Sequence, residues 1–229
     1  MLSPLALSMV ALVLRYGFGY RIEGLAGLRA DYRRVCLQND DPMIICANHL
    51  TLIDSFIIAW ALGSPWWYIR QFRTLPWNVP ERSIFAATPL LRGVIYIMKC
   101  LPIQRGGERR GVAVVLSKLA YLIAKGETAL IFPEAGRSRS GRVEVESAAT
   151  GVGRIYKSVP NCRVICVYLR AESQESYSKV PRRGDRFRGS LEVIEPKTDH
   201  PGIRGSRDIA HQILARLADM ERGYFNARE

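Results

Sequence analysis

Apolar residues in this 229-residue chain follow two patterns. Short compact runs at Pro42–Ala47, Thr128–Phe132, Arg163–Leu169 and Ser190–Glu195 read as strands. Longer stretches carry the helical period. Val112, Val115, Leu116, Leu119, Leu122 and Ile123 predict an amphipathic helix over Glu108–Lys125, capped by Gly126. Ile209, Ile213, Leu214, Leu217 and Met220 predict a final one. Leu52–Leu62 reads as a helix ended by Gly63-Ser64-Pro65, and Met1–Leu14 as an N-terminal helix. Tyr20–Glu23, Trp66–Arg70 and Leu101–Gln104 are short strand candidates, with Gly24 and Gly27 as breaks. Pro76–Met98 suggests short helices with a greasy surface, and Arg183–Arg188 a polar loop. Strands alternating with helices predict an α/β fold, a mixed central sheet flanked by helices.

Residues 1–19 stand apart in this pattern. No charge precedes Arg15. The apolar stretch falls short of the roughly 18 residues that span a bilayer, contains Pro4, and lacks the basic start of a secretory signal. A membrane-associating helix lying in the interface is expected, with Arg15, Arg21, Arg29, Arg33 and Arg34 meeting anionic headgroups. A terminal helix packed on the domain is the alternative. Residues 20–229 then form one domain.

Composition narrows the partners. The chain has 33 Lys and Arg against 21 Asp and Glu, a net charge of +12, which points to an anionic partner. Between Arg137 and Arg188 the basic excess is twelve to five. Tyr156, Tyr168, Tyr177 and Phe187 are scattered there without a recognition unit, so no nucleic acid is expected. Five cysteines lack metal-ligand spacing and suit a reducing compartment; no metal is implied.

Three segments carry chemistry. Asn48-His49-Leu50-Thr51-Leu52-Ile53-Asp54 places His49 five residues before Asp54. That spacing is about 140° around a helix, so the two cannot share a helix face. They meet if His49 lies in the turn after the strand and Asp54 in the first helical turn, with Thr51 a candidate N-cap. Such a pair abstracts a hydroxyl proton: the imidazole accepts it and the carboxylate fixes the tautomer. The second segment runs into Arg105-Gly106-Gly107, an arginine fork beside flexible backbone, suited to phosphate or to a surface turn. The third, Phe132-Pro133-Glu134-Ala135-Gly136-Arg137-Ser138, brings a carboxylate and an arginine to the end of a strand. There Glu134 can orient Arg137 or bond a substrate hydroxyl.

In order and spacing these segments resemble the lysophospholipid acyltransferase family, whose best-known members are 1-acylglycerol-3-phosphate acyltransferases. The resemblance covers roughly residues 20–195. The first segment matches the family's NHxxxxD, the second its arginine motif, the third FPEGTRS. It implies the glycerolipid acyltransferase fold, with His49 as general base and Asp54 as its orienter. Arg105, Glu134, Gly136 and Arg137 would bind the acceptor. Acyl-CoA or acyl carrier protein would be the donor, with no further cofactor. Membrane lipids would be partners, placing the protein at the cytoplasmic face as a peripheral or monotopic protein. Trp66–Met98 would line an acyl channel or dip into the bilayer. Ala135-Gly136 departs from the family's Gly-Thr, and Cys166 stands where it usually has proline. Two other readings stay open: transfer to another acceptor (an ornithine lipid, a glycolipid or a polyketide-type pigment lipid), and a non-catalytic lipid- or nucleic-acid-binding protein.

Overall fold

The computed structural model describes residues 3–82, 95–104, 106–134 and 136–227. Its strands are β1 (Arg21–Ile22), β2 (Met43–Ala47), β3 (Trp77–Asn78), β4 (Ala129–Ile131), β5 (Arg163–Ala171) and β6 (Arg186–Ile194). They form one mixed sheet in the order β1-β6-β5-β2-β4-β3, with β5 and β6 antiparallel and the other pairs parallel. Every residue of β2 and β5 is buried. Both sheet faces are therefore covered, and this is why β2 and the Val164–Leu169 stretch of β5 read as unbroken apolar runs.

The period of two divides the core. Ile45, Ala47, Ile165, Val167 and Leu169 face α1 (Ser3–Leu12), α2 (Leu25–Gln38), α3 (Asp54–Leu62) and α4 (Pro65–Arg70). Ile44, Cys46, Val164, Cys166 and Tyr168 face α5 (Arg109–Ala124), α6 (Thr150–Ser158) and α7 (Gly202–Asn226). The expected α/β fold with a mixed, helix-flanked sheet is what the structure has. Gly126 ends α5 with φ +83°: its N–H bonds Ile123 O and that of Glu127 bonds Leu122 O, a Schellman pair.

Several elements differ from expectation. Trp66–Arg70 is helical, because Ser64 Oγ accepts the Trp67 N–H at 3.1 Å and Pro65 fits the first helical position. Leu101–Gln104 makes one isolated bridge, Ile103 to Glu81, next to that of Cys100 to Asn78. Arg186–Arg188 belongs to β6 rather than to a loop, because Arg188 pairs with Glu23 and Glu172. Two helices escape the pattern, α2 and α6. In α2 the supposed break Gly27 faces open space and is tolerated, while Leu28, Tyr32 and Val35 form the buried stripe. Of the region Pro76–Met98, residues 83–94 lie outside the described residues.

The N-terminal helix is apolar all round. Leu7, Ala11 and Leu14 join the core, while Leu5, Met9, Leu12, Val13 and Tyr16 are exposed. Among the described residues, no helix is long and apolar enough to cross a membrane.

The α6–α7 contact is close enough to test. A Cβ on Gly153 would lie 1.9 Å from the carbonyl oxygen of Ser206. Alanine is the better helix former by up to about 1 kcal/mol, and overpacking costs roughly 1–3 kcal/mol, so the clash should win. Gly153→Ala should lower the urea midpoint with an unchanged m-value. An unchanged or raised midpoint would show that α6 and α7 separate freely.

Candidate active site

The loop between β2 and α3 is fixed at both ends. Asn48 closes the β2–β5 ladder with its side chain: Nδ2 donates to Leu169 O at 3.0 Å, and Oδ1 accepts the Leu169 N–H at 2.9 Å. Asp54 is the first residue of α3, and its carboxylate reaches back. Oδ2 accepts the N–H groups of Leu50 at 2.6 Å and Thr51 at 2.7 Å and faces His49 Nδ1 at 3.0 Å. Oδ1 accepts the Thr51 hydroxyl. Thr51 is thus a ligand of Asp54 rather than the N-cap, a position held by Ile53. An acceptor-only carboxylate at Nδ1 requires the proton there, leaving Nε2 as the basic nitrogen. The imidazole stacks on Phe132, with centroids 4.0 Å apart and 13° between planes.

The third segment docks on this loop. Ser138 N–H donates to His49 O at 2.9 Å. Arg137 Nη1 donates to Ser178 O at 3.1 Å, and its guanidinium lies over the Tyr177 ring. Ser178 N–H bonds Leu50 O, and Leu52 N–H bonds Lys179 O. Tyr177–Lys179 therefore buttress both motifs. No sequence signal marked them, since they act largely through main-chain atoms.

His49 and Arg137 share the wall of a cavity of about 550 Å³. The rest of the lining is mostly apolar: Ala6, Met9 and Val10 from α1, Leu52 and Phe56, Asn78–Glu81, and Ile95, Met98 and Cys100. A concave apolar site with a few convergent polar groups suits a lipid chain carrying a polar reacting end. The tryptophans do not line it. Trp66 is exposed, Trp67 packs on the core, and Trp77 Nε1 bonds Glu127.

Glu134 departs from the expectation that it orients Arg137. No bond or ion pair joins them among the described residues, and Glu134 Oε1 is buried without a partner. Burial pushes its carboxyl up to about 8, helped by Glu144 and Glu221. A Cβ on Gly136 would meet only Glu134 O at 4.0 Å, so the fold itself does not demand glycine there. Arg105 lies outside the described residues. Its neighbours form a tight turn: Gly106 has φ +69°, and a Cβ on Gly107 would come within 3.0 Å of Gln104 O. No metal-binding group of His, Cys, Asp and Glu occurs among the described residues.

His49, Asp54, Phe132, Arg137 and Ser138 thus converge at the carboxyl ends of β2 and β4, where open α/β sheets place their ligands. A family model described as Acyltransferase matches residues 30–170, which takes in all three segments and more than half of the chain. The chain belongs to this acyltransferase family, that of the lysophospholipid and 1-acylglycerol-3-phosphate acyltransferases. A search among curated proteins finds no match.

The state of Glu134 can be tested through stability. Its carboxyl holds a proton in the folded chain up to about pH 8, whereas the unfolded chain releases it near 4.5. Between these values the folded state binds more protons, so this group makes stability fall as pH rises. Glu134→Gln should remove that contribution and exceed the parent in stability near pH 8. Parallel stability–pH curves for the two proteins would show that Glu134 is ionised at neutrality.

Proposed function

We propose that this acyltransferase moves a fatty acyl group from the thioester of acyl-CoA or acyl carrier protein to a hydroxyl of a lysophospholipid-type acceptor, such as 1-acylglycerol-3-phosphate. The observation that carries the reading is the setting of His49: Nδ1 held by Asp54, in an apolar cavity whose wall also bears Arg137. Nε2 takes the proton as the acceptor oxygen bonds to the thioester carbon. Collapse of the tetrahedral adduct breaks the carbon–sulfur bond, and the imidazolium returns the proton to the leaving thiolate. The thioester is already activated, so no acyl-enzyme is needed. Arg137 binds the acceptor phosphate, joined by Arg105 of the glycine-flanked motif. Glu134 offers a neutral carboxyl to the acceptor's hydroxyl, and Gly136 leaves room for close approach.

The exposed apolar stripe of the N-terminal helix supports membrane association as a peripheral or monotopic protein. Met9 is both part of that stripe and a wall of the cavity, which offers an acyl chain a short path from bilayer to base. The free cysteines favour the cytoplasmic face. Ala135-Gly136 in the third motif favours a second reading: the same transfer onto an ornithine lipid, glycolipid or pigment lipid.

Purified protein supplied with lysophosphatidic acid and a panel of donors and acceptors should yield acylated product by lipid mass spectrometry. His49→Ala should reduce turnover by about 10²–10⁴-fold while the chain still folds, read from an unchanged far-UV circular dichroism spectrum. Arg137→Gln should raise KM for phosphate-bearing acceptors more than it lowers kcat. Turnover retained by His49→Ala would end the general-base assignment. Activity on the other acceptors but none on lysophosphatidic acid would favour the second reading.

A further inference from the structure

A second cavity, of about 490 Å³, opens at the base of α1 on residues that do not line the His49 cavity. Its lining includes Arg15, Tyr16, Tyr20, Arg21 and Trp60, and no acidic side chain. Arg15 and Arg21 are exposed. Arg29 reaches the wall, its Nη2 donating to Trp60 O at 2.7 Å, while its Nε is buried without a partner. Arg33 stands nearby with its guanidinium over Trp67. Among the described residues, none of these four arginines makes an ion pair. The adjacent carboxylates are taken: Glu23 by Arg186 and Arg188, Asp31 by Arg34. Burial holds Arg29 below the usual arginine range; Tyr68 opposes this, and Arg33 and Arg15 add to it. Uncompensated guanidinium groups gathered at one cavity favour an anion with several oxygens.

The position of the cavity selects the anion. Tyr16, 74 % exposed, lines the cavity and also ends the apolar stripe of Leu5, Met9, Leu12 and Val13. With that stripe in the acyl-chain boundary, Tyr16 and the arginines lie at headgroup depth, where aromatic and basic side chains favour the interface. We infer that this cavity binds the phosphate headgroup of an anionic phospholipid that is not the substrate, and so seats α1 in the bilayer. The inference rests on the membrane reading of α1 given above.

Vesicle co-sedimentation of the full chain tests it, comparing pure phosphatidylcholine with phosphatidylcholine containing phosphatidylglycerol at constant ionic strength. The parent should bind both, and the second more tightly. Arg15→Gln with Arg21→Gln should remove most of the gain from phosphatidylglycerol, roughly tenfold or more, while keeping the binding to phosphatidylcholine. Arg204→Gln with Arg207→Gln, an equal charge loss on exposed positions of α7, should keep the gain. The inference is overturned if the first pair keeps the gain, or if the second loses as much, since charge would then act diffusely. Inorganic phosphate that abolishes the gain at matched chloride would assign the cavity to a soluble ion and overturn it too. A parent that binds neither vesicle would refute the membrane reading itself, whereas binding to phosphatidylcholine without a gain refutes only the headgroup site.

Discussion

The carboxylate of Asp54 is the group on which the site depends. Four donors from three successive residues point at its two oxygens: Leu50 N–H, Thr51 N–H, the Thr51 hydroxyl and His49 Nδ1. The first three shape the loop and the fourth orients the imidazole. A chain leaving a fully buried strand must turn at once while its N–H groups still find acceptors. Asp54 resolves both demands, so folding of the loop and alignment of the histidine are one event. Nothing in this arrangement is specific to a substrate, which fits a reaction core shared by a whole family.

Segments distant in sequence are built around this centre. The Ser138–His49 main-chain bond joins the third motif to the first, and Tyr177–Lys179 bond to both. Arg137 is spent partly on Ser178 O and partly on a tyrosine face, which limits its rotamers without neutralising it. Glu134, by contrast, sits beside two other glutamates with one oxygen unpartnered. Glu134 and Arg137, three residues apart, thus make no ion pair with each other.

Legibility in the sequence followed the physics of each element. His49 and Asp54 were legible because their spacing excludes a shared helix face and the apolar run stops at Ala47, leaving one geometry. β2 and the Val164–Leu169 stretch of β5 were legible because two-sided burial leaves no polar interruption there. Trp66–Arg70 was misread because bulky aromatics suggest a strand, while the Ser64-Pro65 start outweighed them. Residues 186–188 were misread because their charges looked solvated, although Glu23 and Glu172 neutralise Arg188 from neighbouring segments. Tyr177–Lys179 were invisible because main-chain atoms carry most of their contribution, and those carry no residue identity.

Met9 has a consequence beyond docking. The wall it gives the cavity belongs to a helix outside the sheet, and neither Met9 nor Ala6 takes part in the hydrogen bonds of Asp54. Exchanging side chains on α1 can therefore redraw the volume beside His49, as one changes a die in a press, while the hydrogen bonds of Asp54 stay in place.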